Sequence, residues 1–297
     1  MGAITQALMA SFKAAGGEVR TGSGVEKILV SNGRATGVAL ANGDTFTAPL
    51  VISTMDVKRT FLKHVDERDL PSAFVKSVKR FKIRGSSGKV NIALDALPRF
   101  PALPADSPCI RGDMHFTDSI ERLELAYDDW KEGRFSRDPF LDMMIPTTTD
   151  PTMTPPGKHF MSCFVQYAPP KIEGRDWSDA DRDAFGQTVL NQIEAYSPGF
   201  KNLVLHAEVR TPRELEAEVG LTEGNIFQGE LTFDQLLFNR PVPGYAQYRS
   251  PIDGLWMCGS STHPGGGVMG APGRNAAAEI LRTLRKSSGM GDAYAVL

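Results

Sequence analysis

Cysteine is scarce in this sequence: Cys109, Cys163 and Cys258 are the only three among 297 residues. An odd number of widely separated cysteines argues against a disulphide framework and for a reducing compartment. We therefore predict a cytoplasmic location, or the mitochondrial matrix if the source is a eukaryote. The five histidines are also scattered, and no Cys/His pair has the spacing of zinc ligands, so no metal site is predicted.

Long hydrophobic runs and an excess of one charge are missing too. No apolar run approaches the roughly 18–20 residues of a transmembrane helix, and no basic segment leads into an apolar one as in a signal peptide. The formal net charge is −2, which gives no reason to expect nucleic acid or an anionic membrane as a partner. We expect neither a nucleic-acid partner nor a membrane span.

The most informative segment that is present covers residues 259–275 and is rich in glycine and proline. An apolar, strand-like run at residues 255–258 precedes it, and a helix-like pattern with apolar positions from Ala276 to Leu284 follows. Glycine allows a ligand to approach the backbone, and the free N–H groups of a helix start favour negative charge. The alternative is an ordinary surface loop. The flanking strand and helix favour a cofactor cradle.

The first fifty residues have the pattern of a small mixed domain. Apolar residues at helical spacing predict a helix over residues 3–15, followed by a short strand at residues 18–20. Two Asn-Gly pairs separate β-prone runs at residues 25–30, 35–40 and 45–47, which predicts a three-stranded antiparallel meander. The short apolar run at residues 50–53 is typical of a buried parallel strand.

Residues 57–250 have a different pattern. Helix-like segments at residues 73–79, 119–130 and 178–196 alternate with strand-like segments at residues 89–94, 140–145, 159–167 and 204–209. This order favours an antiparallel sheet backed by helices, an α+β layer. The proline-flanked stretch at residues 240–244 is the expected return to the first domain.

Three segments together carry a family resemblance: residues 1–71, residues 220–231 (GLTEGNIFQGEL) and residues 259–273 (GSSTHPGGGVMGAPG). They resemble the C-terminal half of the phytoene desaturase-like FAD-dependent oxidoreductases, in the branch of the pyridine nucleotide-disulphide oxidoreductase domain-containing protein 2 type. The resemblance implies an α/β plus α+β fold. It has a partial FAD-binding domain of the two-dinucleotide-fold type, with its β-meander, at residues 1–56 and 251–297. An antiparallel-sheet-plus-helices substrate domain is inserted at residues 57–250.

One departure from the family is plain. Its members begin with a βαβ unit that carries Gly-x-Gly-x-x-Gly and a ribose-binding acid, and this sequence has no such unit. We expect the chain to be the C-terminal portion of such an enzyme and inactive alone, and the missing unit makes the binding of FAD by this chain alone doubtful. The resemblance leaves self-association, or pairing with a missing N-terminal half, as possible partners besides a hydrophobic small-molecule substrate.

The resemblance also implies site residues. His263, the titratable group beside the cradle, is the candidate catalytic residue, with ordering of the loop as its structural alternative. Phe227 and Gln228 are expected to line the substrate face, or to form a tight turn. Hydroxyls of the cradle could bind the ligand or cap the loop, and Val25 is expected to contact the adenine through its backbone. The predicted cofactor-binding residues are Val25, Gly259, Ser260, Ser261, Thr262, Gly265, Gly266, Gly267, Val268, Gly270, Ala271, Gly273 and Arg274.

The expected activity of the parent enzyme is hydride transfer from a C–H or C–C group of a hydrophobic substrate to the flavin. Two alternatives stay open: a non-catalytic binding or interaction module that has lost FAD, and a flavin-dependent isomerase without net oxidation. Because different activities share one fold, the sequence does not decide whether this chain is itself an enzyme.

Overall fold

The computed structural model describes residues 2–104 and 107–287. Six α-helices are present in these residues: α1 (Gly2–Ala14), α2 (Ser72–Arg80), α3 (Ile120–Lys131), α4 (Asp179–Tyr196), α5 (Pro212–Glu214) and α6 (Ala271–Ser287). The strands are β1 (Val25–Ser31), β2 (Arg34–Leu40), β3 (Thr45–Thr47), β4 (Val51–Ser53), β5 (Ser87–Leu94), β6 (Met114–His115), β7 (Phe140–Met144), β8 (His159–Gln166), β9 (Val204–Arg210) and β10 (Leu255–Met257).

The first three strands form the predicted antiparallel meander, in the order β1-β2-β3. Asn32 and Gly33 both have positive φ, of 50° and 73°, at the β1–β2 turn. This is the backbone that a two-residue hairpin turn needs, and Asn and Gly adopt it at least cost. The Asn-Gly signal therefore predicted the hairpin for the correct physical reason.

The parallel strand predicted at residues 50–53 is confirmed, but it is not buried as expected: Ile52 is 46% exposed, and in the described residues the sheet has only two strands. β4 pairs with β10, with Val51 opposite Leu255 and Ser53 opposite Met257. By contrast, the prediction of a strand at residues 18–20 was wrong, since this segment has no regular secondary structure. Residues 18–20 pair with no strand among the described residues, and an extended segment is not stable as a strand without such pairing.

A hydrophobic core joins the meander to both parallel strands. It contains Ile28, Ala35, Leu255 and Met257, and it continues through buried residues Val57, Phe61, Phe74, Val78 and Ile83. The segment that follows β4 therefore packs against the meander before the chain enters the larger sheet.

That larger sheet is antiparallel throughout, as predicted, with strand order β6-β7-β8-β5-β9. One face is buried in β5, β7 and β8 and packs with α4, whereas β9 is only partly buried on this face. Gly88 and Gly186 allow this packing, because a Cβ would lie 2.6 Å from Phe185 at the first position and 2.5 Å from Val209 at the second. The opposite face is only half-buried and carries Lys89, Asn91, Phe160, Ser162 and Phe164.

Helix α4 begins where its sequence indicates. The Ser178 side chain accepts from the Asp181 N–H, and the Asp181 carboxylate accepts from the Ser178 N–H, so both halves of a capping box are made. None of the helices in the described ranges has the length and apolar character needed to cross a bilayer.

Candidate functional site

The site is built where the two parallel strands end. The loop after β4 and the glycine loop (residues 259–270) after β10 lie side by side, joined by a hydrogen bond from the Val57 N–H to Ser261 Oγ at 3.1 Å. Gly259 approaches the first loop closely, because a Cβ there would lie 3.0 Å from the Thr54 carbonyl oxygen. Ligands of open α/β sheets bind at such carboxyl ends of adjacent parallel strands.

The hydroxyls of Ser261 and Thr262 shape the glycine loop itself. Both residues are fully buried. Ser261 Oγ donates to the Gln228 carbonyl, and Thr262 Oγ1 donates to the Gly259 carbonyl at 2.9 Å. Both hydroxyls thus donate to carbonyls of the protein, and a contact of these residues with a ligand stays a prediction.

A second segment, the facing turn (residues 225–231), packs on the glycine loop. Asn225 organises this turn, since its Oδ1 accepts from the N–H groups of Phe227 and Gly229. Phe227 lies directly against Gly266, where a Cβ would come within 2.5 Å of the phenyl ring. The structure thus brings the predicted substrate residues Phe227 and Gln228 into contact with the predicted cofactor residues.

The glycine loop presents many hydrogen-bond donors without acceptors. Within residues 2–104 and 107–287, nothing accepts from the backbone N–H groups of Gly259, Ser260, Ser261, His263 or any residue from Gly266 to Gly270. Two side-chain atoms here, His263 Nδ1 and Gln228 Oε1, are also buried without a partner in the described chain. Residues Gly267 to Gly270 are exposed, so only the two buried side-chain atoms are unusual, since buried polar groups are normally satisfied.

The groups of the glycine loop fit one side of a flavin-binding site. An N–H-rich glycine loop leading into the start of a helix suits pyrophosphate and the carbonyl oxygens of a flavin ring. Helix α6 begins at Ala271, and Arg274 is exposed in its first turn, as are Val268 and Met269 just before the helix. Val25 lies elsewhere, at the first position of β1 opposite Leu40, and its adenine contact stays a prediction.

Sequence reasoning missed Arg240, which underlies the glycine loop. Its side chain is 0% exposed and donates only to backbone carbonyls, among them those of Ser260 and Phe227. The Arg-Pro-Val-Pro stretch around it indicated only a crossing segment. An arginine inside an apolar, proline-flanked run was the available signal, since arginine is seldom fully buried.

Lys89 was also missed. It lies on the half-buried face of the larger sheet, where its ammonium donates to Ser162 Oγ. Burial lowers the pKa of Lys89, because the charged form loses hydration. On this face Lys89 lies opposite the half-buried Phe164 in the register of β5 and β8.

A meander, two parallel strands and a glycine loop that opens a helix define one half of a flavoprotein oxidoreductase of the two-dinucleotide-fold class. The comparisons with known proteins agree. The model of the flavin containing amine oxidoreductase family matches residues 1–281, and the chain belongs to this family.

Three curated relatives indicate the branch. The mouse (Mus musculus) pyridine nucleotide-disulfide oxidoreductase domain-containing protein 2 is 40% identical over 294 residues, covering 96% of this chain and 50% of the mouse protein. Phytoene desaturase (neurosporene-forming) of Cereibacter sphaeroides is 27% identical, with 95% and 52% covered. Prolycopene isomerase 2 of an Oncidium hybrid is 27% identical, with 91% and 43% covered. The chain spans about half the length of these relatives, as the resemblance predicted.

Solved structures support the fold. An oxidoreductase from Methanosarcina mazei has a TM-score of 0.55 at 18% identity, with 93% of this chain and 53% of that chain covered. A redesigned putrescine oxidase has a TM-score of 0.53 at 13% identity, with 92% and 51% covered. The predicted fold class is therefore confirmed.

Proposed function

We propose that this chain forms the flavin- and substrate-facing part of an FAD-dependent oxidoreductase. In this proposal, a C–H group of a hydrophobic substrate gives up hydride to the flavin. The supporting observation is the set of unpartnered N–H groups in the glycine loop, together with the buried, unpartnered His263 Nδ1 and Gln228 Oε1. When bound, FAD would supply the hydride acceptor, and the protein would supply binding and orientation.

The chain's own residues would divide the work as follows. Backbone N–H groups from Gly259 to Ser261 and from Gly266 to Gly270 would bind the anionic and carbonyl groups of the cofactor. His263 would donate or accept one hydrogen bond through Nδ1, and its main-chain carbonyl is already held by the Tyr248 hydroxyl at 2.9 Å. Phe227 would exclude water from the reacting face, because its ring covers Gly266.

We propose the half-buried face of the larger sheet as the substrate side. It offers Phe160 and Phe164 for an apolar chain, with Lys89 as a cation among them. The relatedness to a phytoene desaturase supports a hydrophobic substrate. The division into an FAD-binding part (residues 1–56 and 251–297) and a substrate part (residues 57–250) is kept as a proposal, although the core of the first part extends to Ile83.

A redox-neutral isomerase is the nearest alternative, supported by the relatedness to prolycopene isomerase. A second alternative is a non-catalytic module that binds another polypeptide. Helix α1 favours it, because none of its residues is buried and Ile4, Leu8 and Phe12 lie exposed on it. The same helix would also be a contact surface for a dinucleotide-binding unit that completes the FAD site. We therefore do not expect this chain alone to turn over substrate.

The test is a titration of the purified chain with FAD, followed by quenching of flavin fluorescence, in wild type and His263→Leu. We expect saturable binding in wild type and about tenfold weaker binding in the variant, the equivalent of one hydrogen bond of roughly 1.4 kcal/mol. The apo variant should be no less stable than wild type, since a buried unpartnered nitrogen is removed. His206→Leu, at an exposed position of β9, is the matched control and should bind as wild type does.

Two outcomes would count against the proposal. If wild type shows no saturable binding up to about 1 mM, which corresponds to −4.1 kcal/mol, the non-catalytic alternative is favoured. If His263→Leu binds FAD normally but unfolds more easily, His263 has only the structural role.

A further inference from the structure

Arg240 makes a set of contacts unlike that of any other described arginine. Its Nε donates to the Ser260 carbonyl at 2.9 Å, and its Nη1 donates to the Glu230 carbonyl at 3.2 Å. Its Nη2 donates to the carbonyls of Phe227 at 2.8 Å and Gly229 at 3.2 Å. One side chain therefore holds both the facing turn and the glycine loop.

Within residues 2–104 and 107–287, the guanidinium has no carboxylate partner. Among the residues the structure describes, Arg240 takes part in none of the ion pairs, and its aromatic neighbour is Phe81, with the ring centre 5.7 Å away. Burial lowers the pKa of Arg240 to about 10, so the group still carries its charge at neutral pH. Backbone carbonyl oxygens, the negative ends of peptide dipoles, replace the water that such a charge would otherwise need.

The direction of the peptide groups follows from these contacts. In a trans peptide the C=O and the N–H point in opposite directions. Because the Ser260 carbonyl points at Arg240, the N–H of Ser261 points away from it, and this N–H has no acceptor within the described chain. Gly265 lies in the same layer, where a Cβ would be 3.7 Å from Arg240 Nε.

We propose that Arg240 is the positioning residue of the cofactor cradle, fixing the glycine loop and the facing turn in one arrangement through the geometry of its guanidinium. The proposal deepens the proposed function and rests on it for the identity of the ligand. The ordering of the two segments does not depend on FAD, so the two ideas can fail separately.

The first experiment measures backbone hydrogen exchange in the apo chain for wild type, Arg240→Met and Arg240→Lys. The reporting amides are those of Glu230, Thr262 and Gly265, which are bonded to Lys82, Gly259 and Thr262 respectively. We expect about tenfold or faster exchange at all three in both variants, since hydrogen bonds from a charged donor are among the strongest. Amides of β5 and β8 should keep their wild-type rates.

Lysine is the decisive variant, because it keeps the charge but not the planar fork that reaches several carbonyls at once. Wild-type exchange in Arg240→Lys would overturn the proposal, as would faster exchange spread evenly over the larger sheet. Arg249→Met is the matched control: Arg249 also contacts an aromatic ring, that of Trp256, but bonds Glu279 on α6. It should leave the three amides unchanged.

A measurement on wild type covers the case in which the Arg240 variants do not fold. Exchange in increasing urea should give Glu230, Thr262 and Gly265 one shared opening free energy and one shared urea dependence. Independent opening of the two segments would contradict the proposal. FAD titration tests the effect on cofactor binding. Both Arg240 variants should bind FAD about tenfold more weakly than wild type. If only the charge mattered, Arg240→Lys would bind FAD as wild type does.

Discussion

At the scale of single residues, the glycine loop contains glycines that are needed for different reasons. At Gly266 a Cβ would collide with Phe227 at 2.5 Å, whereas at Gly273, inside α6, it would meet nothing within 4 Å. We expect Gly266→Ala to destabilise the fold by about 1–3 kcal/mol through overpacking. Gly273→Ala should stabilise it by up to about 1 kcal/mol through helix propensity. Urea unfolding of both variants measures the difference, and equal effects would contradict the packing argument.

The three cysteines differ in the reactivity that their surroundings allow. Cys109 is exposed, Cys258 is partly buried, and Cys163 is fully buried. Loss of hydration raises the pKa of Cys163 to about 12, so its thiol stays neutral and unreactive. With iodoacetamide at about pH 8 we expect Cys109 to be modified first and Cys163 only on unfolding. Mass spectrometry of the labelled peptides tests the order.

The same shift has a consequence for stability at high pH. The unfolded thiol ionises near its ordinary pKa of 9.0, while the folded thiol stays protonated until about 12. The neutral thiol therefore contributes stability that is complete below pH 9 and is lost as the pH rises from 9 to 12. In Cys163→Ala, the free energy of unfolding should therefore fall less between pH 9 and 12 than in wild type. The same pH dependence of unfolding in both proteins would refute this role of Cys163.

The sequence allowed the glycine loop to be predicted because its glycines lie between a strand and a helix with strong patterns of their own. The role of Arg240 was not predicted, because its apolar, proline-flanked setting indicates burial at most and does not identify the carbonyls 20 positions away to which it donates. Lys89 escaped for a similar reason. Alternation in β5 marks one face as buried, but only the assembled sheet leaves the other face half-covered.

At the scale of elements, the start of α4 illustrates a local signal. The helix-like segment predicted from residue 178 begins there, and Ser178 forms a complete capping box. We expect Ser178→Ala to cost about 0.5–2 kcal/mol of unfolding free energy. Ser77→Ala, in the middle of α2, is the control and should change stability by less than about 0.5 kcal/mol, since alanine is the better helix former there. Thermal unfolding of the two variants gives the comparison.

The strands show that local sequence signals do not predict pairing between distant parts of the chain. The meander could be predicted because each of its turns lies within the sequence that it joins. Residues 18–20 had the composition of a strand but formed none, because a strand exists only with a neighbour to pair with. The apolar composition of residues 50–53 predicted a parallel strand, but no local pattern identified β10 as its partner.

At the scale of the whole molecule, helix α1 is a predicted contact surface. Leu8 is 67% exposed and Phe12 is 53% exposed, and no residue of the helix is buried. We expect the chain to self-associate, and the double variant Leu8→Ser/Phe12→Ser to shift it towards monomer. Its melting temperature should hardly change, because the apolar side chains are not part of a core. Sedimentation velocity at several concentrations tests this, and an unchanged distribution would exclude α1 as the contact.

The pairing of Val51 with Leu255 also sets an order of assembly. About two hundred residues separate the two strands, so closing this loop costs more chain entropy than any step inside the larger sheet, whose strands all lie between residues 87 and 210. Non-local contacts form slowly. During synthesis, the larger sheet can fold while β10 is still inside the ribosome. The cradle would then be the last part of the protein to mature.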